Sequence, residues 1–489
     1  MSHLLVIFIH GYSVSSIETY GELAPRLQQE AELRGVPVQA EDIYLARYIS
    51  FNDQVRLEDL ASALEAALAD TIYPRYPKQR FVCITHSTGG PLVRTWHRTF
   101  FRSAETCPMS HLVMLAPANH GSALAQLGKS RVSRVKSWFN GVEPGQRVLD
   151  WLELGSRGSW RLNKSEIAES GPRAGKGIFY FVLTGQDIDR KFYDHINSYT
   201  GEPGSDGVVR VASANLNSSW LRIVQSSGDL KQLHIKEYEN SDTVPLRILK
   251  GKSHSNEDMG IMRSVRNPVT DKKNADTLDA IMRCISVSTA AEYDSIRSAF
   301  EEETREVQLS SRLEKENRLT GDRYYIHDRH SMIIFRVRDS EGHVVQDYDL
   351  LLTSGARSDP DDLPPGFFRD RQCNCKDKTT LTYYLNYDIM NGCEAVVDSE
   401  GKIRRPQQPG ARSLGITIIP RPDKGFVRYA TASLKASADN FEKLLKPNAT
   451  TLVEIVLQRL VSTEILRLTK LGEGKNDWRD AEPGDSFIT

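Results

Sequence analysis

Three residue types that can hand a proton from one to the next, a serine, a histidine and an aspartate, each stand on a small-residue turn beside an apolar run. Phe81-Val82-Cys83-Ile84-Thr85-His86-Ser87-Thr88-Gly89-Gly90 is an apolar stretch that ends in a serine and leads into the helix-forming Pro91 to Trp96. A serine hydroxyl attacks carbonyl carbon only when a base takes its proton, and a sharp strand-to-helix turn lifts Oγ clear of a sheet. Such a turn needs small residues two before and two after the serine; Gly89 fills the second position, and Thr85 stands where the G-x-S-x-G pattern has glycine. The plain alternative is an inert serine in an ordinary turn.

The base is expected late in the same unit, where Leu246 to Lys250 reads as a strand, Gly251 as a turn and His254 as the histidine that follows. His10 is expected to brace its own loop, and His86, His120, His195 and His234 to be structural or solvent-facing. The acid that orients the imidazole is placed at Asp206, in Gly204-Ser205-Asp206-Gly207-Val208-Val209, with Asp187 and Asp189 as competitors. An acyl-transfer site also needs N–H groups aimed at the oxyanion. Thr88, next to the serine, and Tyr12, after the first strand in His10-Gly11-Tyr12-Ser13, are the expected donors.

Positioning these residues calls for a mainly parallel sheet. Strands are expected at Leu4 to Ile9, Phe81 to Thr85, Leu112 to Ala116, Ile178 to Thr184 and Leu246 to Lys250, with a crossover helix at Leu57 to Leu68 whose leucines 57, 60, 64 and 68 follow helical spacing. Residues 1–285 form this unit. The stretch from about 123 to 177 interrupts the strand pattern and reads as a cap; it holds Trp138, Phe139, Trp151, Leu152, Leu154 and Trp160 among ten basic and five acidic residues. Residues 286–325, with Glu301-Glu302-Glu303 at their centre, read as a solvated helical linker. In residues 326–489 the period changes to two, at Ile333 to Val337, Leu381 to Tyr387, Ile416 to Ile419, Val427 to Leu434, Thr451 to Leu457 and Glu464 to Leu468, and a β-rich, sandwich-like accessory domain is expected.

Composition narrows the function. With 63 Lys and Arg against 64 Asp and Glu in 489 residues, the net charge of −1 supplies no global field for nucleic acid. Leu4 to Ile9 is too short for a signal-peptide core, no apolar run approaches a membrane span, and a chain that is cytoplasmic as synthesised is expected. The six cysteines read as free thiols; Cys373-Asn374-Cys375 with Cys393 lacks the usual zinc spacing, and the acidic Asp359-Pro360-Asp361-Asp362 reads as a solvated turn more than a calcium loop.

Taken together, His-Gly after the first strand, Thr-His-Ser-Thr-Gly-Gly, Leu115-Ala116-Pro117-Ala118-Asn119-His120-Gly121-Ser122, Ser-Asp-Gly-Val-Val and the late histidine resemble the lipase branch of the α/β-hydrolases. The similarity is to bacterial triacylglycerol lipases and to GPI-inositol-deacylase-like lipases, and it covers about the first 285 residues. It implies an α/β-hydrolase domain with a cap insertion, assigns the acid of the Asp-Gly-x-Val motif to Asp206, and makes Pro117 to Ser122 a structural turn. A serine lipase with a C-terminal β-domain and no signal peptide also resembles type VI secretion phospholipase effectors, which implies an immunity or secretion partner. The expected activity is lipid ester hydrolysis through an acyl-enzyme, on a membrane surface, without cofactor or metal. The rivals are a soluble carboxylesterase or thioesterase, and an inactive hydrolase fold that only binds.

Overall fold

The computed structural model describes residues 3–10, 20–49, 54–101, 103, 105–126, 145–168, 177–188, 202–241, 243–267, 270, 275–316 and 322–462. The first unit is built on β1 (Leu4–His10), β2 (Val38–Tyr44), β3 (Phe81–His86), β4 (Met109–Leu115), β5 (Phe179–Thr184) and, after the hairpin of β6 (Ser219–Gln225) and β7 (Leu233–Asn240), β8 (Leu246–Ile248). Its order is β2-β1-β3-β4-β5-β8, all parallel. The helices that matter for the site are α1 (Leu23–Leu33), α2 (Leu57–Thr71), α3 (Gly89–Phe100), α4 (Gln146–Leu152), α5 (Arg157–Ala168), α6 (Ala275–Ile285) and α7 (Ala290–Ser310).

Helices cover both faces of this sheet, so its central strands are apolar without alternation. Leu5, Ile7 and Ile9 enter one core with Leu60, Leu64 and Leu68 of α2 and Trp96 of α3. Val6 and Phe8 enter the other with Leu27 of α1, Ile281 of α6 and Phe300 of α7. β2, absent from the expected strands, is the edge strand Val-Gln-Ala-Glu-Asp-Ile-Tyr, in which only Val38 and Ile43 are buried. An edge strand exposed along one side carries polar residues that hide its period.

One expectation needs correcting. Residues 290–310 are not a solvated linker: α7 packs on the sheet through Tyr293, Phe300 and Thr304, with the Tyr293 hydroxyl donating to the Tyr180 carbonyl at 2.7 Å and Ile248 N–H donating to Thr304 Oγ1 at 3.0 Å. The cap aromatics Trp151 and Trp160 are buried. Trp151 joins the hydrolase core, and Trp160 sits with Leu154 in a cluster at the seam with Met332, Ile334, Tyr384 and Leu452. Trp138 and Phe139 lie outside the described residues.

The second unit is a sandwich of β9 (His330–Asp339), β10 (Tyr348–Thr353), β11 (Phe368–Cys373), β12 (Thr380–Asn386), β13 (Leu414–Pro420), β14 (Ala432–Ser437) and β15 (Thr450–Leu457). The expected runs near 333, 381, 416 and 451 fall in β9, β12, β13 and β15; the run 427–434 is split by a break before β14, and 464–468 lies outside the described residues. One layer is the three-stranded β10-β13-β14; the other is β11-β12-β9-β15-β6-β7. The hairpin β6–β7 from the first half of the chain completes this sheet, with Leu221 of β6 in parallel register with Val453 of β15. Apolar side chains of both layers, among them Ile223, Phe335, Ile416 and Ile455, meet between them. Asp359 caps a single turn by accepting the Asp361 N–H at 3.0 Å. No described helix is long and apolar enough to cross a membrane.

Because β6 and β7 are stranded without β15, a chain shortened to residues 1–312 should expose Trp220, Leu221 and Ile223. It is expected to aggregate on size-exclusion chromatography, and a monomeric product with a wild-type melting temperature would contradict this account.

Three buried histidines set an acid limit. Burial pushes His111 down to about 4, and His120 and His330 down to about 3. The unfolded chain binds these protons from about pH 6.5, so stability is complete above that value and falls as pH drops toward the folded pKa values, by about 1.4 kcal/mol per pH unit for each histidine. Urea midpoints should therefore fall steadily from pH 7 to pH 5; a flat profile over that range would refute the neutral assignment.

Candidate active site

β3 ends at His86 and α3 begins at Gly89, which leaves two residues to reverse direction. Ser87 makes the turn at φ +52°, a conformation that costs an L-residue about 1–2 kcal/mol. Hydrogen bonds hold it there: Ser87 N–H donates to the Leu115 carbonyl at 3.0 Å, and the Ser87 carbonyl accepts from Gly90 and Ala118, each at 3.3 Å. The turn is tight enough that a Cβ on Gly89 would lie 3.1 Å from Thr85 Cβ, and one on Gly90 would lie 2.8 Å from Pro117 Cβ. Threonine is tolerated at position 85 because the opposing residue has no side chain.

His254 follows the Gly251 turn after β8 and is 1% exposed; Asp206 is fully buried. The imidazole Nδ1 lies 2.9 Å from Asp206 Oδ2, and Nε2 lies 3.1 Å from Ser87 Oγ. Asp206 Oδ1 accepts the N–H groups of Val208 at 3.0 Å and Val209 at 2.7 Å, which turns Oδ2 toward His254. The His254 N–H also donates to the Asp206 carbonyl at 2.9 Å. A carboxylate can only accept, so Nδ1 carries the proton and Nε2 is free to accept from the serine hydroxyl.

Asp187 does not meet His254. Its Oδ2 accepts the Gly251 N–H at 2.8 Å and its own N–H donates to the Lys252 carbonyl at 3.1 Å, so it braces the turn ahead of the histidine. Asp189, His195, Tyr12 and the His10 side chain lie outside the described residues, His120 is buried and His234 is exposed. Thr88 is buried, and its N–H has no acceptor among the described residues. The string Pro117 to Ser122 ties the elbow to the loop of Asp206 and the residues after it: Ser122 Oγ donates to the Val208 carbonyl at 2.6 Å, and Asn119 Nδ2 to the Ala214 carbonyl at 2.7 Å. The buried Arg94, held by Glu166 at 2.7 Å, donates to Asn119 Oδ1 at 2.9 Å.

His86, expected to be structural or solvent-facing, braces the histidine backbone. Its Nε2 donates to the His254 carbonyl at 3.0 Å, with the two rings 4.6 Å apart. Burial, and then the nearness of His254, hold it well below the usual histidine range, so it is a neutral donor that fixes the His254 backbone. Adjacency to Ser87 was its sole signal. Among the described residues, Asp187, Glu314 and His327 bring one potential metal-ligating atom each to within 4.8 Å of one another, but Glu314 already accepts from His327 and Asp187 from Gly251.

The elbow geometry makes a coupling prediction. Gly89→Ala should cost about 1 kcal/mol and lower kcat, because the Thr85 Cβ is fixed by the strand. In a Thr85→Gly background the same change should cost nothing or stabilise, as read by urea melts; additive effects would show that the two positions do not compete for space.

No protein-family model and no curated protein matches the sequence. Among solved structures, the chain is similar to phospholipase PlaB from Legionella pneumophila, with 41% identity and a TM-score of 0.85 over 100% of this chain and 99% of that one. It is also similar to that phospholipase in complex with thio-NAD, with 39% identity and a TM-score of 0.84 over 99% of each chain. With a parallel hydrolase sheet, a serine at its elbow and this likeness over the full length, the chain belongs to the family of the Legionella phospholipase PlaB and is a serine ester hydrolase of the α/β-hydrolase class.

Proposed function

We propose that this protein hydrolyses a carboxyl ester of a phospholipid through an acyl-enzyme, with Ser87 as nucleophile, His254 as base and Asp206 as acid. The observation that carries the reading is the continuous hydrogen-bonded chain from Ser87 Oγ through His254 to Asp206, mounted on a serine at positive φ. His254 Nε2 takes the Ser87 proton as Oγ bonds to the ester carbon, and the carbonyl oxygen becomes an oxyanion. The Thr88 N–H faces that charge, and Tyr12 is proposed as its partner donor. The intermediate collapses as the alcohol leaves with the proton held on His254; water, deprotonated by the same nitrogen, then releases the fatty acid and restores Ser87. This route calls on no cofactor.

Phospholipid is the substrate named for the similar Legionella enzyme. Arg147, Arg157 and Arg161 are exposed on α4 and α5, Arg157 paired with Asp377 at 2.8 Å and Arg161 3.8 Å from Glu58, and this face of the cap is the part proposed to meet an anionic lipid surface. With Trp151 and Trp160 buried, this face and not those rings makes the contact.

Ser87→Ala should lose at least about 10³-fold in kcat on phospholipid vesicles while its melting temperature is kept. Arg147→Glu with Arg161→Glu should bring the ratio of rates on anionic and neutral vesicles toward one. Near-normal turnover by the serine variant removes the acyl-enzyme reading; an unchanged vesicle ratio removes the basic face.

A further inference from the structure

The loop that carries Asp206 is closed at its base by Arg210, four residues after the aspartate, and Glu202, four residues before it. Arg210 is almost fully buried and grips Glu202 with two hydrogen bonds, Nε to Oε2 at 2.7 Å and Nη2 to Oε1 at 2.9 Å. On the side away from His254 and Ser122, contacts on this loop come from the sandwich. Arg210 Nη2 donates to Asp370 Oδ2 of β11 at 2.5 Å, and the guanidinium lies over the Tyr384 ring of β12 at 4.1 Å. The Tyr384 hydroxyl donates to the Pro203 carbonyl at 2.9 Å, and His330 of β9 stacks on the same ring at 4.8 Å. Gly204 lies so close to this surface that a Cβ there would sit 2.5 Å from the Tyr384 hydroxyl and 2.7 Å from His330 Nδ1.

We infer that Arg210 is a positioning residue for the reaction and that, through Asp370 and Tyr384, the C-terminal sandwich sets where Asp206 stands. The inference rests on the reading of Asp206 as the acid of the triad. Three features go beyond structural support. The clamp grips the loop on both sides of Asp206, and the loop holds its own shape through short-range bonds, Asp206 N–H to the Val209 carbonyl at 3.2 Å and Val211 N–H to the Gly204 carbonyl at 2.9 Å. The loop therefore moves as one body, and a shift at Arg210 is transmitted to the carboxylate. A buried cation between two carboxylates also gains little over an apolar filling in stability, whereas its fixed, planar hydrogen bonds define direction. Finally, the seam around it is apolar, with Trp160, Ala212, Met332 and Leu452 in one cluster, so water does not replace a lost hydrogen bond there.

If the carboxylate is displaced, His254 loses part of the charge that stabilises its protonated form. The expected signature is a lower kcat with KM little changed, and an acid limb of kcat/KM that moves to lower pH. The experiment compares wild type, Arg210→Lys, Tyr384→Phe and Asp206→Asn, all full-length, on a soluble short-chain ester across pH 5–9, with folding checked by circular dichroism and thermal melts. Arg210→Lys keeps the charge but loses the fork, and Tyr384→Phe keeps the ring but loses the bond to Pro203. Each should cost about 10- to 100-fold in kcat, with the acid limb shifted. Asp206→Asn should cost about 10⁴-fold. Should Arg210→Lys fail to fold, Tyr384→Phe carries the test. Wild-type kcat and an unmoved acid limb in the folded clamp variants, beside an inactive Asp206→Asn, overturn the clamp and leave the triad standing. An active Asp206→Asn overturns the triad reading itself.

Discussion

The proposed nucleophile depends on a backbone conformation that L-residues avoid, and much of the first unit is arranged to hold it. Ser87 at φ +52° has its N–H tied to Leu115 and its carbonyl tied to Gly90 and Ala118, so the turn is pinned by β4 and by the start of α3. Neither could come so near if Gly89 or Gly90 carried a side chain. The strain of about 1–2 kcal/mol is small beside the burial around it, where β3 and β4 run through the middle of two cores.

The proposed acid is held differently. Asp206 stands on a loop at the seam, bounded by Ser122 and Ser213 from the hydrolase side and by Tyr384, Asp370 and Thr450 from the sandwich side; Thr450 Oγ1 donates to the Ala212 carbonyl at 2.7 Å. The hairpin β6–β7, which follows this loop in the chain, is built into the sandwich sheet. Closing the loop across its base by the Arg210–Glu202 pair and drawing the next strands into a second sheet leave it little freedom to drift. The serine is thus referenced to the parallel sheet, and the aspartate to the contact between two bodies.

How much of this was legible in the sequence follows from how local each cause is. The elbow, the Gly251 turn before His254 and the glycine turn around Asp206 are defined within about ten residues, and small residues beside apolar runs announce them. The leucines of α2 announce its buried face in the same way. α7 was legible in principle, since Tyr293, Phe300 and Thr304 recur at helical spacing, but the acidic residues around them dominate its composition. The allegiance of β6 was not legible: its apolar residues suit either sheet, and the choice is made by Val453 and its neighbours far along the chain. For the same reason nothing near Arg210 marks it as buried, because Asp370 and Tyr384 come from the other unit. The burial of Trp151 and Trp160 was hidden in the same way, since an aromatic residue in a cap has the same sequence signature whether it meets lipid or a neighbouring domain.

These constraints leave freedom in one place. Asp206 has one oxygen fixed by two backbone N–H groups and the other by His254, and His254 has its backbone held by Asp206 and by the neutral His86. Both side chains are buried, so their mutual orientation is set before any ester arrives and requires no rearrangement of water during the reaction. Ser87 Oγ, half-buried and bonded through a single rotatable Cα–Cβ bond, is the group of the three that can swing, from Nε2 toward a carbonyl carbon. In the proposed mechanism, a relay in which base and acid are rigid and the nucleophile alone moves suits a reaction that must collapse twice at the same carbon. His86 suits this proposed arrangement because it remains uncharged: a second imidazolium 4.6 Å from His254 would oppose the protonation on which each proposed collapse depends.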